Sequence, residues 1–159
     1  MNWIIKTIEF FQKQGLSVLL FALLALASSS ALAYDFVENG IYYDVNSDGS
    51  SVGVTFKNTD FNSYSGNVII PTSVRGYPVR SINLYAFKDC SRITSISLPN
   101  SLDSIAWFAF ENCGMTSISI PNSVGVIETG AFYSCANLKQ VTLPNSIHSI
   151  EFGVFADCI

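Results

Sequence analysis

Ser95-Ile-Ser-Leu-Pro-Asn-Ser101 returns as Ser117-Ile-Ser-Ile-Pro-Asn-Ser123 and, varied, as Gln140-Val-Thr-Leu-Pro-Asn-Ser146. The rest of each unit keeps step. Cys90, Cys113, Cys135 and Cys158 are 23, 22 and 23 residues apart. Ile82, Ile105, Ile127 and Ile150 each stand eight residues before a Cys, and Phe87, Phe110, Phe132 and Phe155 each three before. Ala86, Ala109, Ala131 and Val154 precede those phenylalanines, and Pro99, Pro121 and Pro144 each lie six before the Ile. So many columns in register define an internal repeat. Its single slip falls between Cys113 and Met115, where Cys-Ser-Arg-Ile has become Cys-Gly-Met. Val68-Ile-Ile-Pro-Thr-Ser-Val74 is an earlier half-matching unit, followed by five extra residues within Arg75–Ser81. Gly76 and Pro78 mark that insertion as a turn or loop.

Each unit has two parts. In Ile96-Ser-Leu98, Ile118-Ser-Ile120 and Val141-Thr-Leu143 apolar and hydroxyl residues alternate, which predicts a strand with one buried face. Pro then stops the strand, having no N–H for a ladder, and Asn-Ser suits a turn. In Ile-x-x-x-Ala-Phe-x-x-Cys the apolar offsets 0, 4, 5 and 8 fit one broad helical face, so a short helix or helical turn is expected there. One unit cannot bury its own apolar side. Stacked units can, with strands paired in parallel and the Ile, Phe and Cys columns meeting.

These Leu-Pro-Asn-Ser, Ile, Ala-Phe and Cys columns resemble the BspA-like leucine-rich repeats of secreted and surface proteins of bacteria and some parasitic protists. The resemblance covers about residues 67–159, in about four units. The Tyr34-Asp-Phe and Gly40-Ile-Tyr-Tyr43 opening is similar to the segment after the signal peptide in Bacteroidetes members. It implies a curved repeat solenoid. A leucine-rich-repeat-type parallel β-sheet is expected, with short helical turns on its outer side and an N-terminal antiparallel β cap. It also implies adhesion to host proteins or other cells.

Upstream, Lys6 and Lys13 precede a ten-residue apolar run, Val18–Ala27, which is followed by Ser28-Ser-Ser30 and Ala31-Leu-Ala33. A basic start, a short apolar run and small residues at the cleavage positions read as a secretory signal peptide over residues 1–33, cut between Ala33 and Tyr34. The run is half the roughly 20 residues of a membrane span. The mature chain of 126 residues carries six basic and eleven acidic side chains, net −5. It is expected to be secreted or at the cell surface, with no membrane span after cleavage. With 49% apolar residues the 159-residue chain is no disordered polymer, and with eight basic against twelve acidic residues it is no basic nucleic-acid binder.

Residues 34–66 do not repeat. Asn39-Gly40 and Asp48-Gly49 between β-rich runs predict two or three antiparallel strands that cap the first repeat. Ile69 falls in the outward column held later by Ser97, Ser119 and Thr142, as expected if the cap covers it.

Signals for chemistry are sparse. Asp44-Val-Asn-Ser-Asp-Gly-Ser50 matches the start of an EF-hand loop, but its twelfth position is Thr55 rather than Glu, and a hairpin turn explains the same residues. The cysteines are spaced too widely for zinc. Disulfides between coils are conceivable in an exported chain; free thiols packed among apolar columns are favoured. His148 has no partner set and reads as a loop residue. Glu111, Glu128 and Glu151 form no glycosidase pair. Leu-Pro-Asn-Ser is internal and repeated, hence no sortase signal. No metal, cofactor or enzymatic activity is expected. Ser95, Ser117 and Gln140 form one outward strand column and Ser97, Ser119 and Thr142 the next. Together they are the candidate binding face, for a protein or surface glycan, unless they are simply a soluble strand face. Trp107, Phe108, Tyr133 and Phe152 are either exposed contacts or packing. The sequence stops at Cys158-Ile159 before another strand and without a polar cap. Truncation is favoured over end-to-end self-association or a partner that completes the stack. A truncated or purely structural repeat fragment and, more remotely, a glycan or peptide hydrolase are the alternatives to an adhesion module.

Overall fold

The computed structural model describes residues 34–57, 61–147 and 150–158. The signal segment 1–33 and His148 lie outside these residues. Strands β1 (Phe36–Glu38) and β2 (Ile41–Val45) pair antiparallel across Asn39-Gly40. Both turn residues have positive φ, 50° and 78°, as a two-residue primed turn requires. β3 (Val52–Thr55) pairs antiparallel with β2, Val45 opposite Val52. The other edge of β3 pairs in parallel with β6 (Tyr77–Ile82), Val54 opposite Ile82. β8 (Ser104–Ile105) and β10 (Val126–Ile127) continue the ladder, placing Ile82, Ile105 and Ile127 in one line. The hairpin strands and the coils therefore share one sheet, and β5 (Ser73–Val74) joins β6 antiparallel within the insertion.

A second side of each coil carries the Ile-Ser-Leu strands. β4 (Gly66–Ile69) pairs in parallel with β7 (Ile93–Ser97), and β9 (Ser117–Ser119) with β11 (Gln140–Thr142). Between these pairs lies the 22-residue coil. Its shortcut is Gly114, whose amide donates to the Cys90 carbonyl. A Cβ on Gly114 would stand 1.9 Å from the Ser91 carbonyl oxygen, so only glycine lets the backbones meet.

The core is a set of columns. Val54, Ile82, Ile105 and Ile127 are buried, as are Ala86, Ala109 and Ala131. The rings of Phe87, Phe110 and Phe132 stack at 5.0 Å and within 5° of parallel, and Phe155 follows at 5.4 Å. Tyr64 takes the same place one coil earlier, 4.6 Å from Phe87. Its hydroxyl donates to the Thr55 carbonyl and accepts from the Tyr42 amide, tying the hairpin strands to the first coil.

The expected helix is not formed: the described residues contain none. Ile82, Ile105 and Ile127 lie in β6, β8 and β10 instead, and the Ala-Phe segment is a chain of tight turns. Ala86, Lys88 and Cys90 donate three residues back, to Asn83, Tyr85 and Phe87. The intervening amides of Tyr85, Phe87 and Asp89 leave the coil for the carbonyls of Trp107, Ala109 and Glu111, at 3.4, 2.7 and 2.9 Å. A helix would keep all of these bonds four residues back within itself. Two residues per coil are left-handed: Tyr85 and Asp89, Phe108 and Asn112, Gly130 and Ser134, Gly153 and Asp157. That conformation does not propagate as a helix. The solenoid architecture holds; its third side is bonded coil to coil.

Candidate functional site

The candidate face is built on β7, β9 and β11. In each strand the central Ile or Val turns toward the core, so the residues on either side must turn out. Ser95, Ser97, Ser117, Ser119, Gln140 and Thr142 are all exposed. Register sets Gln140 beside Ser117 and Thr142 beside Ser119, and Asn67 and Ile69 extend the columns to β4. Ser95 Oγ donates to Asn67 Oδ1 at 2.5 Å. Exposed Thr94, Thr116 and Lys139 border the face. It is a shallow ledge of hydroxyl and amide groups. It presents hydrogen-bond donors and acceptors in rows and no nucleophile activated by a base.

Ile69 is 65% exposed. The expected cover is absent because β3 joins the sheet of Ile82, not the edge of β4. Clefts of about 420 and 290 Å³ open beside Ile69, both bounded by Asn39 and Ile41. A polar cleft of about 660 Å³ lies on the other sheet, lined by Asn46, Asp48, Arg80 and Asp103 among others. Arg80 and Asp103 pair across it at 3.2 Å in solvent.

The loop that resembles a calcium loop spends its oxygens on itself. Asp48 accepts from the amides of Ser50 and Ser51 at 2.8 and 3.2 Å. Those contacts, with the Ser50 hydroxyl, hold its carboxyl below the usual range. Burial pushes the Asp44 carboxyl up. Among the described residues no three His, Cys, Asp or Glu side chains gather as metal ligands.

The four thiols are free. Cys135 and Cys158 donate to the Phe110 and Phe132 carbonyls of the preceding coil at 2.9 and 3.1 Å. Burial pushes Cys113 and Cys135 up to about 12. They are packing thiols rather than nucleophiles. The glutamates are separately employed: Glu111 binds Lys88 at 2.5 Å, Glu128 accepts from the Trp107 amide at 3.0 Å, and Glu151 is exposed. Of the repeat columns, Ile150 is 51% exposed, with no described coil over it.

Trp107 and Phe152 are exposed, whereas Phe108 and Tyr133 are half-buried in a ladder of rings that runs from Phe61 through Tyr85. Leu84, exposed on the same row as Trp107, carries no signal of its own in the sequence. The repeat register, applied to variable positions, locates it.

A family model described as BspA type leucine rich repeat region (6 copies) matches residues 55–159. Among solved structures, the chain is similar to the leucine-rich repeat protein of T. pallidum, with 26% identity and a TM-score of 0.58, over 77% of this chain and 67% of that one. A leucine-rich repeat protein from Bacteroides ovatus gives 26% and 0.42, over 79% and 45%. A leucine rich cell surface protein from Faecalibacterium prausnitzii gives 19% and 0.41, over 76% and 45%. The chain spans less than half the length of these last two. No curated protein sequence matches it.

Proposed function

The chain belongs to the BspA-type leucine-rich repeat family, and from that premise we propose that it is an exported, non-enzymatic interaction module. Its partner is a protein or a surface glycan, gripped on the strand face. The observation that carries this is the two exposed columns Ser95–Ser117–Gln140 and Ser97–Ser119–Thr142, aligned by the repeat register and bonded strand to strand where β11 pairs with β9 and β7 with β4. Repeat proteins of this kind generally act by binding along such a surface. The basic start, ten-residue apolar run and Ala-Leu-Ala ending support export and adhesion outside the cell.

The test is a binding screen of the purified protein against extracellular matrix proteins and bacterial surface glycans, with the double variant Ser97→Arg/Ser119→Arg beside it. Both positions are exposed, so the variant keeps the fold. Saturable binding that the variant loses supports the proposal. Equal binding by the variant moves the site off this face. No saturable binding to any probe returns the reading to a structural repeat without its own ligand.

A further inference from the structure

The turn segments 83–90, 106–113, 128–135 and 151–158 make a third side of the coils, separate from both sheets. Their outer row is Leu84, Trp107, Thr129 and Phe152. Inter-coil bonds align it: Tyr85 N to Trp107 O, Phe108 N to Thr129 O and Gly130 N to Phe152 O, at 3.2–3.4 Å. Leu84, Trp107 and Phe152 are 45%, 55% and 87% exposed. The half-buried rings of Tyr85, Phe108 and Tyr133, 5.9 and 6.3 Å apart, support the row from beneath. The Phe108 ring lies over Gly130, where a Cβ would come within 2.4 Å of it. The row is therefore a firm apolar ridge rather than a loose loop.

Charge flanks the ridge. Five of the ten acidic residues in the described chain lie in these segments, Glu128 and Glu151 before the ridge and Asp89, Glu111 and Asp157 after it. One of the six basic residues does, Lys88, and Glu111 already holds it. The remaining five acidic and five basic residues balance elsewhere, so the excess negative charge sits on this side.

We infer that this side docks a cationic amphipathic helix, its apolar stripe on Leu84, Trp107 and Phe152 and its Lys or Arg residues on the acidic flanks. Coils repeat every 5.0 Å at the stacked phenylalanines. Successive i, i+3/i+4 anchors on a helix advance by ~4.5–6 Å, so the two spacings match over the ridge. Like charge opposes a second copy on this side, and an anionic lipid surface is repelled for the same reason. The inference concerns a surface apart from the strand face and stands or falls independently of it.

The probe is a short fluorescein-labelled peptide of leucine and lysine with leucine at i, i+3, i+4 and i+7, titrated by anisotropy against the purified protein. Its leucine–glutamate counterpart is the control. Saturable binding of the lysine peptide alone is expected, weakened about tenfold by Trp107→Ala, two- to threefold by Glu151→Gln, and strongly at ~1 M salt. Thermal melts of both variants confirm folding, and Glu151→Gln leaves the apolar ridge intact. Equal affinity for the glutamate peptide or unchanged affinity in Trp107→Ala overturns the inference. So does peptide-insensitive binding to phosphatidylcholine vesicles, which would make lipid the occupant. A dimer in sedimentation that Trp107→Ala dissolves would make the occupant a second copy and overturn the inference as well.

Discussion

The ring of Phe110 lies 5.0 Å from that of Phe132 and within 2° of parallel to it, one coil apart. Phe87 repeats the contact on the other side. Removing the middle ring leaves both neighbours facing a void. Phe110→Ala is expected to cost ~3–5 kcal/mol, measured by urea denaturation. Trp107→Ala, on the exposed ridge, serves as the control and is expected to cost less than ~1 kcal/mol in the same measurement.

Gly114 closes the short coil against the Ser91 carbonyl, where no Cβ fits. Gly114→Ala is expected to destabilise by ~3 kcal/mol or more, since backbone rather than a flexible side chain must move. Gly125, in open space, gives a comparison in which alanine costs little. Thermal melts of the two variants separate them.

Ser134 is left-handed, with φ 55°. Its amide bond to the Ala156 carbonyl does not depend on the side chain. Ser134→Gly is therefore expected to stabilise the protein by ~0.5–1 kcal/mol by relieving the Cβ strain. In a helix the same change would destabilise by a similar amount. The sign of the change in denaturation midpoint thus reads the turn geometry directly.

The columns that bury the rings were legible in the sequence because repetition fixed which residues must meet: Ile82 with Ile105, Phe87 with Phe110, Ser117 with Gln140. The expected helix did not form because offsets 0, 4, 5 and 8 are satisfied equally by a turn chain that gives alternate amides to the next coil. Signs of that geometry were present in Gly130, Gly153, Asn112 and Asp157, which favour positive φ. The aromatic Tyr85 and Phe108 at the same positions concealed it. The hydroxyl columns of the candidate face were legible from period-two alternation. The ridge was not, since Leu84, Trp107, Thr129 and Phe152 share a register position and no chemistry. Ile69 was expected under the cap because sequence order says nothing of which sheet β3 joins.

Burial raises the folded pKa of Cys113 and Cys135 to about 12, from an ordinary 9, and that of Tyr43 to about 12, from 10. Groups raised on folding leave stability intact below their unfolded pKa. They withdraw it as pH climbs, because the unfolded chain then releases protons that the folded one holds. Stability is expected to be flat through neutral pH and to fall between pH 9 and 12. The slope is about 3 kcal/mol per unit from the two thiols, steepening above 10 as Tyr43 and Tyr64, which burial also pushes up, join. Urea denaturation across that range checks it. A double Cys113→Ala/Cys135→Ala variant is expected to start lower and lose less with pH.

The strand face is the central functional claim, and hydrogen exchange read by mass spectrometry tests it most directly. The partner is the ligand that binds saturably in the screen, and the protein is compared free and bound. The account predicts slowed exchange in the peptides that contain β7, β9 and β11, with Ser95, Ser97, Ser117, Ser119, Gln140 and Thr142 at their centre. Protection confined to the turn segments or to the cleft around Arg80 and Asp103, with those three strands unchanged, would contradict it.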